Sequence, residues 1–305
     1  MILFPKRSKK LRRILFSAFF LIILSPLFAQ PAAPAPAPFE PRIVKAFADS
    51  LYQEGFLSQA QGEYKRYLFS IDHSDRLDEN QEKEYQTSIL ALCNIYRKQN
   101  DKAGITWLKE GFFQNSQAAV KEKINHVQAS FLFKEGNADA FSLFAASDQV
   151  AGQKELFSPD FTNLITASDL LLKKDISGLS DFCLTISPDY VNFQRLAELS
   201  SSYKTKSPGL ALFLSSILPG SGKWYTGSFG AFLSSFLTIG SFAAGSIVTG
   251  IQSEWRSWQP YVFGACGIVL YIADLYGAYQ SAKRYNDSLF RILCEETEKL
   301  YDLTY

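Results

Sequence analysis

Residues Lys206 to Gly230 read KSPGLALFLSSILPGSGKWYTGSFG. Gly209 to Leu218 is an apolar run about half the length of the roughly 20 residues a helix needs to cross a bilayer, and Pro219, Gly220 and Gly222 end it. Backbone groups freed at such a break must find protein or water, because lipid offers no partners. The stretch therefore predicts a half-helix that enters an apolar layer and turns back. Lys223, Trp224 and Tyr225 follow, a cation beside two amphipathic rings, which is the composition that settles at headgroup level. Gly222-Lys223 imitates the end of a phosphate-binding loop, but that loop also needs a glycine five positions earlier and a Ser or Thr after the lysine. Ile217 and Trp224 stand there instead, so nucleotide binding is not expected.

Working towards the C-terminus, Phe229 to Ile251 carries no charge and is long enough to span a bilayer. Tyr261 to Ala282 is a second such stretch, broken only by Asp274, and QSEWRSWQP (252–260) connects the two with a pair of interfacial tryptophans. Small residues let helix backbones approach closely, the main source of association in lipid. Ser234, Thr238, Ser241, Gly245 and Thr249 share one face of the first stretch, and Gly264, Gly267, Asp274 and Ala278 one face of the second. A tight hairpin is expected, and such faces also suit a homo-oligomer. Residues 287–305 carry an amphipathic stripe of Leu289, Ile292, Leu293, Leu300 and Leu303, suited to lying on a membrane or docking onto the preceding helices.

Working towards the N-terminus, residues 42–205 show no strand alternation but repeated helix-turn-helix patterns. The clearest is FADSLYQEGFLSQAQGEYKRYLF (47–69), with Ala48, Leu51 and Tyr52 on a first helix, Gly55 at the turn, and Ala60, Tyr64 and Tyr67 on a second. This pattern resembles a tetratricopeptide repeat. Later turns at Asn100, Gly136 and Asp175 follow at uneven spacing, so the later units are degenerate against a repeat of about 34 residues. Ser158-Pro159-Asp160 and Ser187-Pro188-Asp189 are helix starts. Residues 30–41, QPAAPAPAPFEP, form an extended Pro-Ala linker. Residues 1–29 carry six basic residues and an apolar run from Ile14 to Leu24. They read as a secretory signal peptide cleaved after Ala29, although Leu27 at the minus-three position is atypical.

The expected fold is thus all-α: a tetratricopeptide-like helical domain (42–205), a membrane module (206–286) that pairs a helical hairpin with a re-entrant half-helix, and the tail. The module resembles a family of small bacterial membrane modules. It shares their Lys-Ser-Pro start (Lys206, Ser207, Pro208), their Pro-Gly-x-Gly-x-x-Tyr-x-Gly turn (Pro219, Gly220, Gly222, Tyr225, Gly227) and their closing Tyr-Gly-Ala-x-x-Ser-Ala-x-x-Tyr-Asn (Tyr276, Gly277, Ala278, Ser281, Ala282, Tyr285, Asn286). The turn is also similar to the family named for its two transmembrane spans, in which an Ile-Asp pair recurs roughly as Ile272 and Asp274 do here. The resemblance covers about a quarter of the chain; it brings no enzymatic activity with it and implies an envelope protein of unassigned biochemistry. Some such modules sit beside a membrane-protein-insertion efficiency factor.

Asp274 is the sharpest single residue, because an ionisable group inside a span is expensive and marks a site by default. Lys223 or Tyr225 is its expected partner. A salt bridge or hydrogen bond locking the turn to the hairpin is favoured over a proton or cation site, since a lone carboxylate makes a poor pathway. His73 and His126 lack metal-ligand companions, Cys93, Cys183, Cys266 and Cys294 share no CxxC spacing, and no nucleophile-base pairing is evident. No catalytic residue, cofactor or metal is expected. The balance of 31 basic and 30 acidic residues argues against nucleic acid.

The chain reads as an adaptor that binds another envelope protein through its helical domain, held to lipid by the module, in the inner membrane with the helical domain in the periplasm. A transport component using Asp274 and an aid to membrane-protein insertion are the alternatives. Export by a signal peptide conflicts with the basic flanks Lys223, Lys283 and Arg284, which favour the cytoplasm. Two crossings and three therefore stay open.

Overall fold

The computed structural model describes residues 40–71, 77–186 and 191–303, all helical or connecting. The signal peptide, nearly all of the Pro-Ala linker, His73 and Ser187 to Asp189 lie outside the described residues. Contacts divide the chain into two compact units, one ending at Gln99 and one beginning at Asn100.

The first unit holds helices α1 (Pro41–Gln53), α2 (Leu57–Ser70) and α3 (Glu79–Gln99). Gly55 makes the α1–α2 turn at φ 85°, a conformation that costs other residues more. Ala48 and Ala60 are fully buried, and their small size lets the two helices close. Tyr64 donates to Asp49 at 2.7 Å, and burial together with this carboxylate pushes its phenol well above the usual tyrosine range. Tyr67, Tyr85, Ile89, Leu92 and Tyr96 complete this core.

The second unit opens with Asn100 at φ 54° and runs through α4 (Lys102–Phe112), α5 (Ala118–Glu135) and α6 (Ala138–Ala145). A 3-10 turn at Ala151–Leu156 leads to α7 (Pro159–Leu172), α8 (Ile176–Thr185) and α9 (Val191–Ser201). Gly136 (φ 69°) and Lys174 (φ 60°) break α5 from α6 and α7 from α8. Asp101, Asn137, Ser158 and Asp175 each accept a first-turn amide with their side chains, satisfying one of the donors a helix start leaves free. Glu122 also receives both the amide and the hydroxyl of Ser158, at 2.6 and 2.7 Å.

The remaining elements are α10 (Pro208–Ile217), the short α11 (Ser221–Tyr225), α12 (Phe229–Gln252) and α13 (Gln259–Leu303). Both α12 and α13 contain a stretch long and apolar enough to cross a membrane, and little of either stretch is buried. They form the expected hairpin, but the face of α12 differs in part from the one anticipated. Phe242 meets Gly267, and Ser246 donates to the Pro260 carbonyl at 2.8 Å and sits against Gly264. Ile239 is buried, whereas Ser234, Thr238 and Ser241 are exposed. The contact face is thus set by where aromatic side chains find glycine hollows; of the anticipated stripe Gly245 does lie on it, where a Cβ would be 3.4 Å from the Phe263 ring. Gly264 and Gly267 on α13 do lie on its contact face.

The longest helix, α13, has 45 residues and continues unbroken from the apolar hairpin into the core of the second unit. There Leu293, Leu300 and Tyr301 join Phe133, Phe161, Leu164, Leu171 and Phe193 in one apolar cluster. The Tyr301 hydroxyl meets that of Ser168 at 2.9 Å. Ile292 and Leu303, expected on the packed stripe, face outward; Phe290, Cys294 and Thr297 take their places. The tail docks on the helical domain through this rotated face.

Candidate functional site

Most of the predicted motif residues meet where α10, α11, α12 and α13 converge. From Ser207, whose hydroxyl accepts the Leu210 amide at 3.3 Å, α10 runs antiparallel to α13. Lys206 lies beside Asn286 at one end, and Ser216 accepts from the Tyr271 hydroxyl at 2.8 Å at the other. The chain then reverses, and α11 climbs back until Thr226 meets the Ser281 hydroxyl at 2.6 Å. So α10 and α11 form a down-and-up excursion alongside the α13 stretch from Tyr271 to Asn286.

Two glycines make the reversal possible. Gly220 sits at φ 83°, and a Cβ there would lie 2.7 Å from the Phe232 carbonyl oxygen. At Gly222 a Cβ would come within 2.0 Å of the Ala211 carbonyl oxygen and 2.8 Å of Ala278 Cβ. Both positions exclude any side chain while the packing holds. The Gly222 amide is satisfied by the Ser215 hydroxyl at 3.0 Å.

Asp274 closes the reversal. Its carboxylate is 3% exposed; Oδ2 accepts the Gly220 amide at 2.6 Å and Oδ1 lies 2.7 Å from Lys223 Nζ. The lysine also donates to Ser235 at 2.7 Å, and its stem crosses Gly277, where a Cβ would approach Lys223 Cε at 3.1 Å. One carboxylate thus satisfies a turn amide and neutralises a cation that would otherwise sit uncompensated in apolar surroundings.

Of the two partners expected for Asp274, Lys223 is the one found. Tyr225 instead accepts the Ser207 amide at 3.3 Å and lies under the Lys206 ammonium, 4.6 Å from its ring centre. Tyr285 faces the same ammonium at 5.7 Å, and Asn286 holds the Lys206 backbone from both sides, accepting its amide at 2.8 Å and donating to its carbonyl at 2.9 Å. Ala278 and Ala282 are fully buried. Gly227 (φ 91°) ends the turn in open space, so its glycine answers a backbone need alone. Pro219 stands in the turn between α10 and Gly220. Tyr276 and Ile272 point away, at 66% and 60% exposure, and take no part.

Sequence reasoning missed the hydroxyl partners Ser215, Ser235 and Thr226, and the Ser216 carbonyl that takes the Tyr271 hydroxyl. A serine in an apolar run carries no signal of which backbone or ammonium it will meet, and Ser235 stands one residue from the anticipated Ser234. Elsewhere, His126 is fully buried between Phe161 and Tyr301. Among the described residues no group of three or more His, Cys, Asp or Glu is placed to hold a metal. The four cysteines are free, and burial pushes the thiols of Cys183 and Cys294 up to about 11. Compared with protein-family models, curated proteins and solved structures, the chain matches none.

Proposed function

We propose that this chain is a membrane-anchored helical scaffold of the bacterial cell envelope, whose helical units bind another envelope protein and whose α10–α13 module sits in the bilayer. The observation that carries the reading is the division of α13. Its first half presents Val262, Ile268, Val269 and Ile272 outward, and its second half is built into the core of the second unit. A helix with one exposed apolar half and one half in a packed domain suits an anchor joined to a soluble arm. The outward residues of α10 and α12, among them Phe213, Ile217, Leu237 and Ile247, extend the apolar belt. Trp255, Trp258 and Tyr261 at one end and Tyr279 and Tyr285 at the other supply aromatic girdles.

In this reading α10 is the re-entrant half-helix. The tail and the helical domain share a compartment, because α13 carries both, which favours two crossings over three. The N-terminal signal sequence makes that compartment the periplasm. The α1–α2 pair is a tetratricopeptide-like unit, and stacked helical pairs of this kind present extended surfaces to protein partners. With both oxygens of Asp274 engaged by Gly220 and Lys223, the carboxylate serves better as a lock than as a permeation site.

The test uses the full chain with its four cysteines changed to serine and Asp302→Cys as reporter, since Asp302 is exposed. A membrane-impermeant maleimide should label it in intact spheroplasts. Labelling only after permeabilisation, or recovery from detergent of no envelope protein that depends on residues 42–204, overturns the proposal.

A further inference from the structure

We propose that Lys206, Lys283 and Arg284 form a rim that holds the phosphate of an anionic phospholipid at one surface of the bilayer. The inference rests on the membrane placement of α12 and α13 given above. The three residues lie at one level of the module: Asn286 clamps the Lys206 backbone, and Lys283 and Arg284 lie on the same α13 turn as Asn286, within about 4.5 Å along the axis.

None of the three charges is neutralised by an ion pair, and those of Lys206 and Lys283 are also positioned. The Lys206 ammonium sits over the rings of Tyr225 and Tyr285, and that of Lys283 over Tyr279 at 4.9 Å. A ring face attracts a cation through its quadrupole and leaves the net charge in place. Among the described residues no ion pair involves Lys206, Lys283 or Arg284. Asp287 is the one acidic residue in this turn of α13, so the rim keeps net positive charge. By contrast Lys223, deeper in the module, is paired with Asp274. At the far end of the hairpin Glu254 and Arg256 pair with each other at 3.7 Å and leave that end neutral. The module therefore has one cationic rim and one neutral rim.

A rim of this kind, level with tyrosines at the edge of an apolar belt, meets lipid phosphates wherever the belt is immersed, and each basic residue near an anionic surface favours association about fivefold. Lipid phosphate also explains why basic residues flank an exported face without recourse to the cytoplasmic bias.

The experiment reconstitutes the full chain in phosphatidylcholine vesicles and compares, by electron paramagnetic resonance, the motionally restricted fractions of spin-labelled phosphatidylglycerol and spin-labelled phosphatidylcholine. Wild type should favour the anionic probe several-fold. That preference should fall stepwise in K206Q and in K283Q/R284Q, and should weaken with salt. Lys283 and Arg284 are exposed, so the double variant keeps the fold even where K206Q disturbs the Tyr225 contact. Equal restriction of both probes in well-incorporated wild type overturns the proposal while leaving the anchor intact. Failure to incorporate into vesicles overturns the anchor and this proposal together. Loss of the preference on adding soluble glycerol phosphate would show a free-phosphate site and overturn the lipid assignment.

Discussion

Asp274 accepts the amide of Gly220 at 2.6 Å across 54 positions of sequence, and so ties the reversal between α10 and α11 to the middle of the second apolar helix. Removing its charge while keeping its shape strands the Lys223 ammonium. Asp274→Asn should destabilise the protein by about 3–5 kcal/mol, as breaking one side of a buried pair does. The double change K223M/D274N should recover at least half of that loss. Thermal unfolding in detergent and cellular abundance both report it. A transport component would instead keep its abundance in D274N and lose activity.

The turn glycines should rank by their surroundings. Gly222→Ala places a methyl against the Ala211 carbonyl and should cost about 3 kcal/mol or more. Gly227→Ala meets nothing within 4 Å but keeps φ 91°, and should cost ~1–2 kcal/mol. Gly240→Ala points into open space in mid-helix and should change stability by no more than about 0.5 kcal/mol in either direction. One set of melting curves covers all three.

Tyr301→Phe removes only the hydroxyl contact to the fully buried Ser168 and should cost about 1 kcal/mol. Tyr301→Ala also leaves a cavity beside Phe133 and His126, and should cost ~3–5 kcal/mol. Limited proteolysis between α9 and α10 should speed up in the alanine variant if the tail is what closes this core.

Lys109 supplies a pH signature. Its ammonium donates to Gln128 at 2.6 Å and lies 4.9 Å from the Phe144 ring centre, and burial lowers its pKa from 10.5 to about 8. Between about 8 and 10.5 the unfolded chain holds this proton and the folded chain does not, so stability rises with pH across that window. Below it both forms are protonated and the full cost of burying the charge stands. Lys109→Met should therefore be more stable than wild type at pH 7 by about 1 kcal/mol, a modest figure because the group is partly solvated. Urea unfolding at several pH values should show the gap closing towards pH 10.

What could be read in advance was what sterics and solvation dictate locally. Gly55, Gly136, Gly220 and Gly227 all adopt positive φ, and glycine announces such positions. The Lys-Ser-Pro, Pro-Gly-x-Gly and Tyr-Asn segments do converge, because their polar atoms satisfy one another: Asn286 with Lys206, Ser207 with Tyr225. Rotational detail was not readable. Ser234 and Ser235 differ by about 100° around a helix, and a run in which both neighbours are small does not say which one faces inward. Nor was the unbroken passage of α13 through residues 283–303 evident, since the amphipathic stripe there suited a membrane surface as well as the helical domain. Burial of Leu293, Leu300 and Tyr301 depends on partners on α5 and α7 more than a hundred positions away.

The single rod from Gln259 to Leu303 makes the apolar hairpin and the core of the second unit mechanically inseparable. Leu303 lies about 44 Å along the axis from the Asp274 lock, so a 10° change in tilt about that pivot swings the far end by about 8 Å. Helix tilt follows the hydrophobic thickness of the surrounding bilayer. In the proposed anchor, a thinner or thicker patch of membrane would therefore displace the second unit laterally, with no hinge along α13 to absorb it.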